Sequence, residues 1–514
     1  MSRGTSMPSD RSYCAMRGKS ALLLMLYCAL TVCISSREAR AQDDVAEKVN
    51  QLTEAMSRVQ AQLNESQRQL EEMRQQLAAL QGTAAKAEDP TPSQTAESDA
   101  AKLAAQVEDL RERQSLQEAQ IAVQEQTKVE SESRFPVKVS GLVLMNGFVN
   151  TRNVDMAATP TLAVPGGGST GASVRQTIIG LDMRGPHLFG ARSHGDLRVD
   201  FDGSTAATGG YANGYGIDLV RLRTAHAVLD WEHTEAFFSM DRPIISPNVP
   251  DSLTAVAEPP LAWSGDLWNW TPQFGVTQDV SVSSVPRLRA QAALIDIADA
   301  PYTASLAAQN GAAPTQSTAE ASRWPGVEAR ISTPGGQSEE SAQIGVGGLF
   351  APHRSIGGTR FDSWAGTLDY RLPLPAHMEL SGNFYRGAAL GGLGGGAYKD
   401  YVYRLDLDGD DFYFRTLDDV GSWTQWKQKL NQRLEFNEAL GIDNVPAGQL
   451  RPYAGAASAV YQNAARNRTA TGNVIFSPSA YLLFSFEYRR IESSPVNGPT
   501  AASDIIGVAA GYKF

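Results

Sequence analysis

The last twelve residues, Ser503 to Phe514 (SDIIGVAAGYKF), constrain the fold of this chain more than any other stretch. Ile506, Val508, Ala510, Tyr512 and Phe514 fall on one face, and Ser503, Ile505, Gly507, Ala509, Gly511 and Lys513 on the other, because side chains alternate across a strand. An apolar face that ends on a terminal aromatic suits the closing strand of a barrel whose outside meets lipid. The edge strand of a soluble sandwich shows the same alternation, so the rest of the chain has to decide.

The N-terminus reads as an export signal. Arg3, Arg11, Arg17 and Lys19 form a basic start, residues 21–34 are apolar, and Ala39-Arg40-Ala41 is a small-x-small cleavage site, so residues 1–41 are expected to leave as a signal peptide. The apolar run is short for a spanning helix and none follows, which leaves strands as the means of crossing a membrane. Val32 before Cys33 makes a poor lipidation box. Cys14, Cys28 and Cys33 all lie in the leader, and the mature chain is left without disulfides, Cys-ligated zinc or a thiol nucleophile. The leader holds six of the 45 basic and two of the 56 acidic groups, so the remainder carries −15. That balance argues against a nucleic-acid partner.

Residues 42–81 repeat apolar positions at Val45, Val49, Leu52, Met56, Val59, Leu63, Leu70, Met73, Leu77 and Leu80. Steps of four and three residues, broken only at Ser66, sustain a 3.5-residue period, the mark of a coiled-coil seam. A self-associating periplasmic stalk, and with it an oligomer, is the expectation; the alternative is one long helix lying against its own barrel. Residues 82–100 form a polar linker with two prolines, and 101–134 a second helical segment with a patchier seam. At Phe135-Pro136 the period changes to two.

Residues 135–514 read as an all-β transmembrane β-barrel of about 16 antiparallel strands, preceded by the α-helical coiled coil. Leu197, Val199 and Phe201 alternate with Asp196, Arg198, Asp200 and Asp202, and Leu482, Phe484, Phe486 and Tyr488 with Leu483, Ser485, Glu487 and Arg489. Two further features favour a membrane. Short turns such as Leu374-Pro375-Ala376 and Ser477-Pro478-Ser479 alternate with long stretches such as 300–322 and 387–420. Aromatics, among them Tyr370, Trp423, Trp426, Tyr481, Tyr488 and Tyr512, gather near strand ends, where interfacial girdles belong. The terminal Tyr512 and Phe514 look like the signal that the barrel-insertion machinery reads.

The order of leader, coiled coil and barrel, with Arg221-Leu-Arg-Thr-Ala-His226, Gly421-Ser-Trp-Thr-Gln-Trp426, Arg433-Leu-Glu-Phe-Asn-Glu438 and the terminal Tyr512-Lys-Phe514, resembles the DcaP-like trimeric porins. The resemblance implies a sixteen-stranded homotrimer in the outer membrane of a Gram-negative-type bacterium, in contact with its lipid and lipopolysaccharide. It further implies helices bundled in the periplasm and a pore that favours small anionic solutes such as dicarboxylates. The interrupted second helix and the Gly-rich external loops depart from that pattern.

Transport chemistry is expected where lumen charges meet a narrowing. The segment from Asp241 to Trp270 is rich in proline, so it is no central strand, and it carries the acidic candidates Asp251, Glu258 and Asp266. Its two readings are a loop folded into the pore and a long external loop. Arg198, Arg221 and Arg223 lie on the charged parity of nearby strands as pore-lining basic candidates, suited to bidentate bonding of carboxylates. The plainer reading pairs Arg198 with Asp196 and Asp200. Asp406-Leu-Asp408-Gly-Asp410-Asp411 lacks the distal Glu of a calcium loop, Gly391-Gly-Leu-Gly-Gly-Gly396 reads as a flexible loop, and six scattered histidines give no metal site. No Gly-x-Ser-x-Gly elbow is present, so a passive channel without cofactor is expected. The alternative is a barrel that acts mainly as an envelope tether through its coiled coil.

Overall fold

The computed structural model describes residues 68, 136–203, 219–280, 287–303, 316–333, 341–355, 357–405 and 412–514. The leader, the linker and, apart from residue 68, the two helical stretches lie outside the described residues, as does the acidic run 406–411.

From Val137 onward the polar-apolar alternation becomes strand after strand. They are β1 (Val137–Val154), β2 (Ala163–Ser173), β3 (Ile178–Leu188), β4 (Ala191–Gly203), β5 (Leu219–Asp230), β6 (Thr234–Asp241) and β7 (Thr271–Val280). Then come β8 (Leu288–Ile295), β9 (Gly326–Ser332), β10 (Gln343–Arg354), β11 (Arg360–Leu374) and β12 (Met378–Ala388). A separate hairpin of β13 (Tyr401–Leu405) and β14 (Phe412–Thr416) precedes β15 (Asp418–Asn431), β16 (Leu434–Asn444), β17 (Ala464–Phe476), β18 (Leu482–Pro495) and β19 (Ala501–Lys513).

Seventeen strands share one antiparallel sheet. Both β2 and β3 lie on β1, β2 against its second half and β3 against Val137–Leu142. They are two halves of one stave, so the wall has sixteen. Closure comes from β1 pairing with β19, Leu142 opposite Lys513 through Asn150 opposite Ile505. Gly141 and Phe514 exchange two backbone hydrogen bonds of 3.0 and 3.1 Å, which carries the ladder to the last residue. Closure leaves no edge, the condition under which strands can lie in hydrocarbon with every backbone group paired. Pro136 and Phe514 share one rim with short turns such as 375–377, while the other rim carries the long connections 242–270, 296–325, 389–417 and 445–463.

The two faces of the wall have opposite chemistry. Met145, Phe238, Phe274, Val346, Phe350, Phe484, Phe486 and Val508 point outward and are exposed, far more contiguous apolar surface than a protein in water carries. Asn146, Asp200, Arg330, Asp369, Asn437, Glu487 and Arg489 point inward and are buried. Trp423 departs from the girdle expectation. It belongs to the inward parity of β15 and is fully buried against Leu261 and Ala439. Tyr481 and Tyr512 do face out, with stacked rings 6.5 Å apart at the turn rim. The outward face yields a first prediction: Val346→Arg should cost about 2–4 kcal/mol when the barrel is unfolded from lipid vesicles. An unchanged midpoint would mean that this face does not meet hydrocarbon.

Candidate functional site

The connection after β6 folds into the barrel. Arg242 ties its two ends together, bonding Asp266 at the far end and the carbonyls of Ser246 (3.3 Å) and Asn248 (3.1 Å) at the near end. Inward amides of the wall then hold its backbone. Asn146 donates to the Leu253 carbonyl (2.9 Å), Asn473 to Asp251 (2.8 Å), Asn467 to Trp263 (3.1 Å), and Gln176 of the β2–β3 break to Thr254 (2.9 Å). Those donors sit on β1, on β17 and between β2 and β3, so the loop crosses the interior. Close approach makes glycine necessary at one contact. Gly265 has a φ of 100°, and a Cβ there would strike the Ser422 and Ile442 carbonyls, while one on Gly441 of the wall would strike the Ser264 carbonyl.

The basic candidates meet this loop. Arg221 grips Asp200 through two bonds (Nε–Oδ1 3.0 Å, Nη2–Oδ2 2.7 Å) and also donates to the Ala257 carbonyl at 2.9 Å. Arg223 bonds the same Asp200 at 2.9 Å and the Val256 carbonyl at 2.9 Å. Both guanidiniums lie over the Trp270 ring, 5.1 and 4.7 Å from its centre. Two arginines on one buried carboxylate are possible because the β4–β5 register slips here: Arg198 faces Thr224, but Val199 faces Leu222. The slip is a bulge that turns Arg223 inward beside Arg221. Period-two reading put both on one parity; the bulge that joins them on Asp200 leaves no local sequence signal.

Arg198 sits lower on the wall, nearer the turn rim. It pairs with Asp182 at 2.5 Å, with Asp196 at 3.9 Å, and not with Asp200. Its side chain keeps 30% exposure. His226 bridges Asp196 (3.1 Å) and Asp241 (3.0 Å), linking wall to loop base. Arg198 is thus separate from the Arg221–Arg223 pair.

The three acidic candidates have different surroundings. Asp251 meets Lys427 at 2.8 Å and Gln425 at 2.6 Å. Asp266 is fully buried on Arg242. Glu258 has a buried Oε2 with no hydrogen-bond partner, and burial, with Asp155 nearby, pushes its carboxyl up to about 8 against the pull of Arg221. At neutral pH it is therefore mostly uncharged. Around the arginine pair, three guanidiniums, Arg175, Arg221 and Arg223, face two carboxylates, Asp200 and Asp202.

A second segment also folds inward, which corrects the reading of Gly391–Gly396 as a flexible external loop. Residues 389–400 are buried, with short turns at Gly391–Leu393 and Gly396–Tyr398. Asp419 accepts the Gly396 N–H (2.6 Å) and Asp443 that of Ala397 (2.8 Å). Lys399 is fully buried, its Nζ donating to the carbonyls of Ala397, Tyr461 and Ala464 at 2.6, 2.9 and 2.6 Å. Tyr398 stacks on Trp263 of the first loop at 4.5 Å, and Leu390 and Leu393 pack with Leu267 and Ile245. The two segments interlock. Glycines allow this closeness, since a Cβ on Gly394 would meet the Trp268 ring.

No family model matches this sequence. No curated protein matches it either. Among solved structures, the outer membrane channel DcaP of Acinetobacter baumannii superposes with a TM-score of 0.54 at 16% identity, covering 74% of this chain and 97% of that one. An anion-selective porin from Comamonas acidovorans (TM-score 0.45, 12% identity, 74% and 100% covered) and Pseudomonas putida OprB (0.44, 10%, 76% and 96%) are also similar. The chain has the barrel fold of the DcaP channel.

Proposed function

We propose that the protein is an outer-membrane diffusion channel for small hydrophilic anions, dicarboxylate-like in chemistry, that works as a homotrimer with its N-terminal helices in the periplasm. The observation that carries this reading is the Arg221–Arg223 pair, set on the inner wall of a closed, outwardly apolar barrel against an infolded loop. Guanidiniums held by one shared carboxylate keep donor capacity for a passing carboxylate. Three guanidiniums on two carboxylates beside the loop favour anions in transit. Arg198 and the partly exposed Asp182 and Asp241 would line the path toward the turn rim, and Tyr512 and Phe514 would serve as the insertion signal. No chemical step is assigned to the protein.

The test is single-channel conductance of the refolded mature chain in a planar bilayer, with reversal potential under a salt gradient. Three equal closing steps with an anion-selective potential are expected. No conductance from folded protein would turn the reading toward a plugged barrel acting as an envelope tether.

Glu258 adds a pH dependence. Between about 4.5 and 8 the folded chain holds a proton that the unfolded chain releases, so this group lowers stability as pH rises through that window. Above about 8 a carboxylate forms beside Arg221, and the anion-to-cation permeability ratio should fall roughly twofold between pH 6.5 and 9.5. Glu258→Gln should flatten that profile; an identical profile in the variant would show that another group titrates.

A further inference from the structure

On the outer wall, two adjacent rows of cross-strand partners run over β15, β16, β17 and β18: Ser422–Ile442–Arg468–Glu492, and one step further from the loop rim Thr424–Leu440–Ala470–Arg490. Together they form a groove of about 430 Å³. Its floor is low because Ser422, Thr424 and Ala470 are small, and Leu440 and Ile442 supply apolar flanks. Elsewhere on the wall large apolar side chains stand exposed, such as Phe350, Trp364 and Phe384, the last in register with Ser422.

The cations without a carboxylate partner at this groove lie to one side. Arg466 and Arg468 lie outward, two residues apart, toward the loop rim. Arg468 faces Glu492 in register, but Arg490 takes that carboxylate at 3.0 Å and Asp504 at 2.9 Å. Among the described residues Arg468 therefore has no ion pair, and the Arg466 side chain bonds the Asn444 amide oxygen at 3.0 Å and no carboxylate. Glu438, outward and one row deeper, stands between Trp426 and Gly472 and is not part of the groove's lining. A lipid in the leaflet at the loop rim has the same polarity, with its headgroup toward the rim and its chains toward the midplane.

We propose that this groove is a binding site for a phosphate-bearing lipid of the loop-side leaflet, its headgroup phosphate held by Arg466 and Arg468 and the start of an acyl chain laid over Ser422, Thr424 and Ala470. The inference rests on the reading of the barrel as membrane-embedded. Arginine suits the role because its planar fork bonds two phosphate oxygens at once and sheds water more readily than an ammonium. The small floor matters equally, because a chain can lie in van der Waals contact only where no large side chain already stands.

The experiment is native mass spectrometry of the refolded mature chain in detergent, titrated with lipid A carrying both phosphates, with the dephosphorylated lipid, and with inorganic phosphate. The diphosphorylated lipid should bind at least about tenfold more tightly than its dephosphorylated form, and Arg466→Ala/Arg468→Ala should abolish that preference. Ala470→Leu, which fills the floor and keeps the charges, should weaken the lipid and leave the weak retention of inorganic phosphate unchanged. Equal binding of both lipids, or an unaltered preference in the double arginine variant, overturns the proposal, as does full displacement of the lipid by equimolar inorganic phosphate. Since the mature chain has no cysteine, Ala470→Cys gives a clean probe: a disulfide between two copies would assign the groove to a second chain and overturn the lipid site. Conductance measured on the same preparation separates the two readings. Conduction without lipid preference removes this site alone, and lipid preference without conduction removes the channel alone.

Discussion

If the barrel conducts as proposed, replacing Arg221 and Arg223 together by alanine should lower the anion-to-cation permeability ratio at least about fivefold, because two fixed charges leave the inner wall beside the infolded loop at once. The same change removes both cations from Asp200, which is fully buried. A buried carboxylate stripped of its partners costs about 3–5 kcal/mol, and the loop loses its donors at Val256 and Ala257. Selectivity therefore has to be read in a background that folds. Adding Asp200→Asn removes the stranded charge and should restore most of the stability while leaving anion preference low. Arg221→Lys/Arg223→Lys keeps the charge but loses the fork, and should retain ion selectivity while weakening block by a dicarboxylate. Reversal potentials of the three variants decide the matter: an unchanged ratio in the triple variant would mean that these arginines only position the loop.

The wall was legible in the sequence and the interior much less so. Period-two alternation at 196–202 and 482–489 identified the strands and the face that each residue occupies, because lipid outside and polar groups inside impose opposite chemistry along the whole strand. Even the stave count followed from chain length, although the break at 174–177 that splits one stave into β2 and β3 carries no signal of its own. The prolines at 243, 247, 250, 259 and 260 marked the first inner segment by excluding a strand. What it touches could not be read, since Asn146, Gln176, Asn467 and Asn473 lie up to hundreds of residues away and each is an ordinary amide, three on strands and Gln176 in the β2–β3 break. Trp423 misled for a related reason. An aromatic near a strand end suggests a girdle, but its parity in β15 points it inward, and only the register with β12 and β16 settles that. The Gly-rich run 391–396 misled most, because glycine marks mobility and close packing alike, and only the partners distinguish the two.

That second inner segment carries the other large expectation. Lys399→Met preserves the length and apolar stem of the side chain and deletes the ammonium, leaving the carbonyls of Ala397, Tyr461 and Ala464 without their shared donor. Each buried acceptor so abandoned costs about 1–3 kcal/mol, more than the local contacts of a twelve-residue segment readily absorb. The sixteen-stave ladder does not depend on Lys399, so the loss should appear as release of residues 389–400 with the barrel intact. Global unfolding in denaturant would then shift little, while backbone amides of Gly396 and Ala397, now bonded to Asp419 and Asp443, should exchange at least about a hundredfold faster. Release also withdraws Tyr398 from Trp263, so mean single-channel conductance should rise and long closures become rarer. Faster exchange with unchanged conductance would show that this segment lies beside the path and that the first loop alone sets the narrowing. Unchanged exchange would show that the aromatic and leucine contacts hold the segment without its lysine.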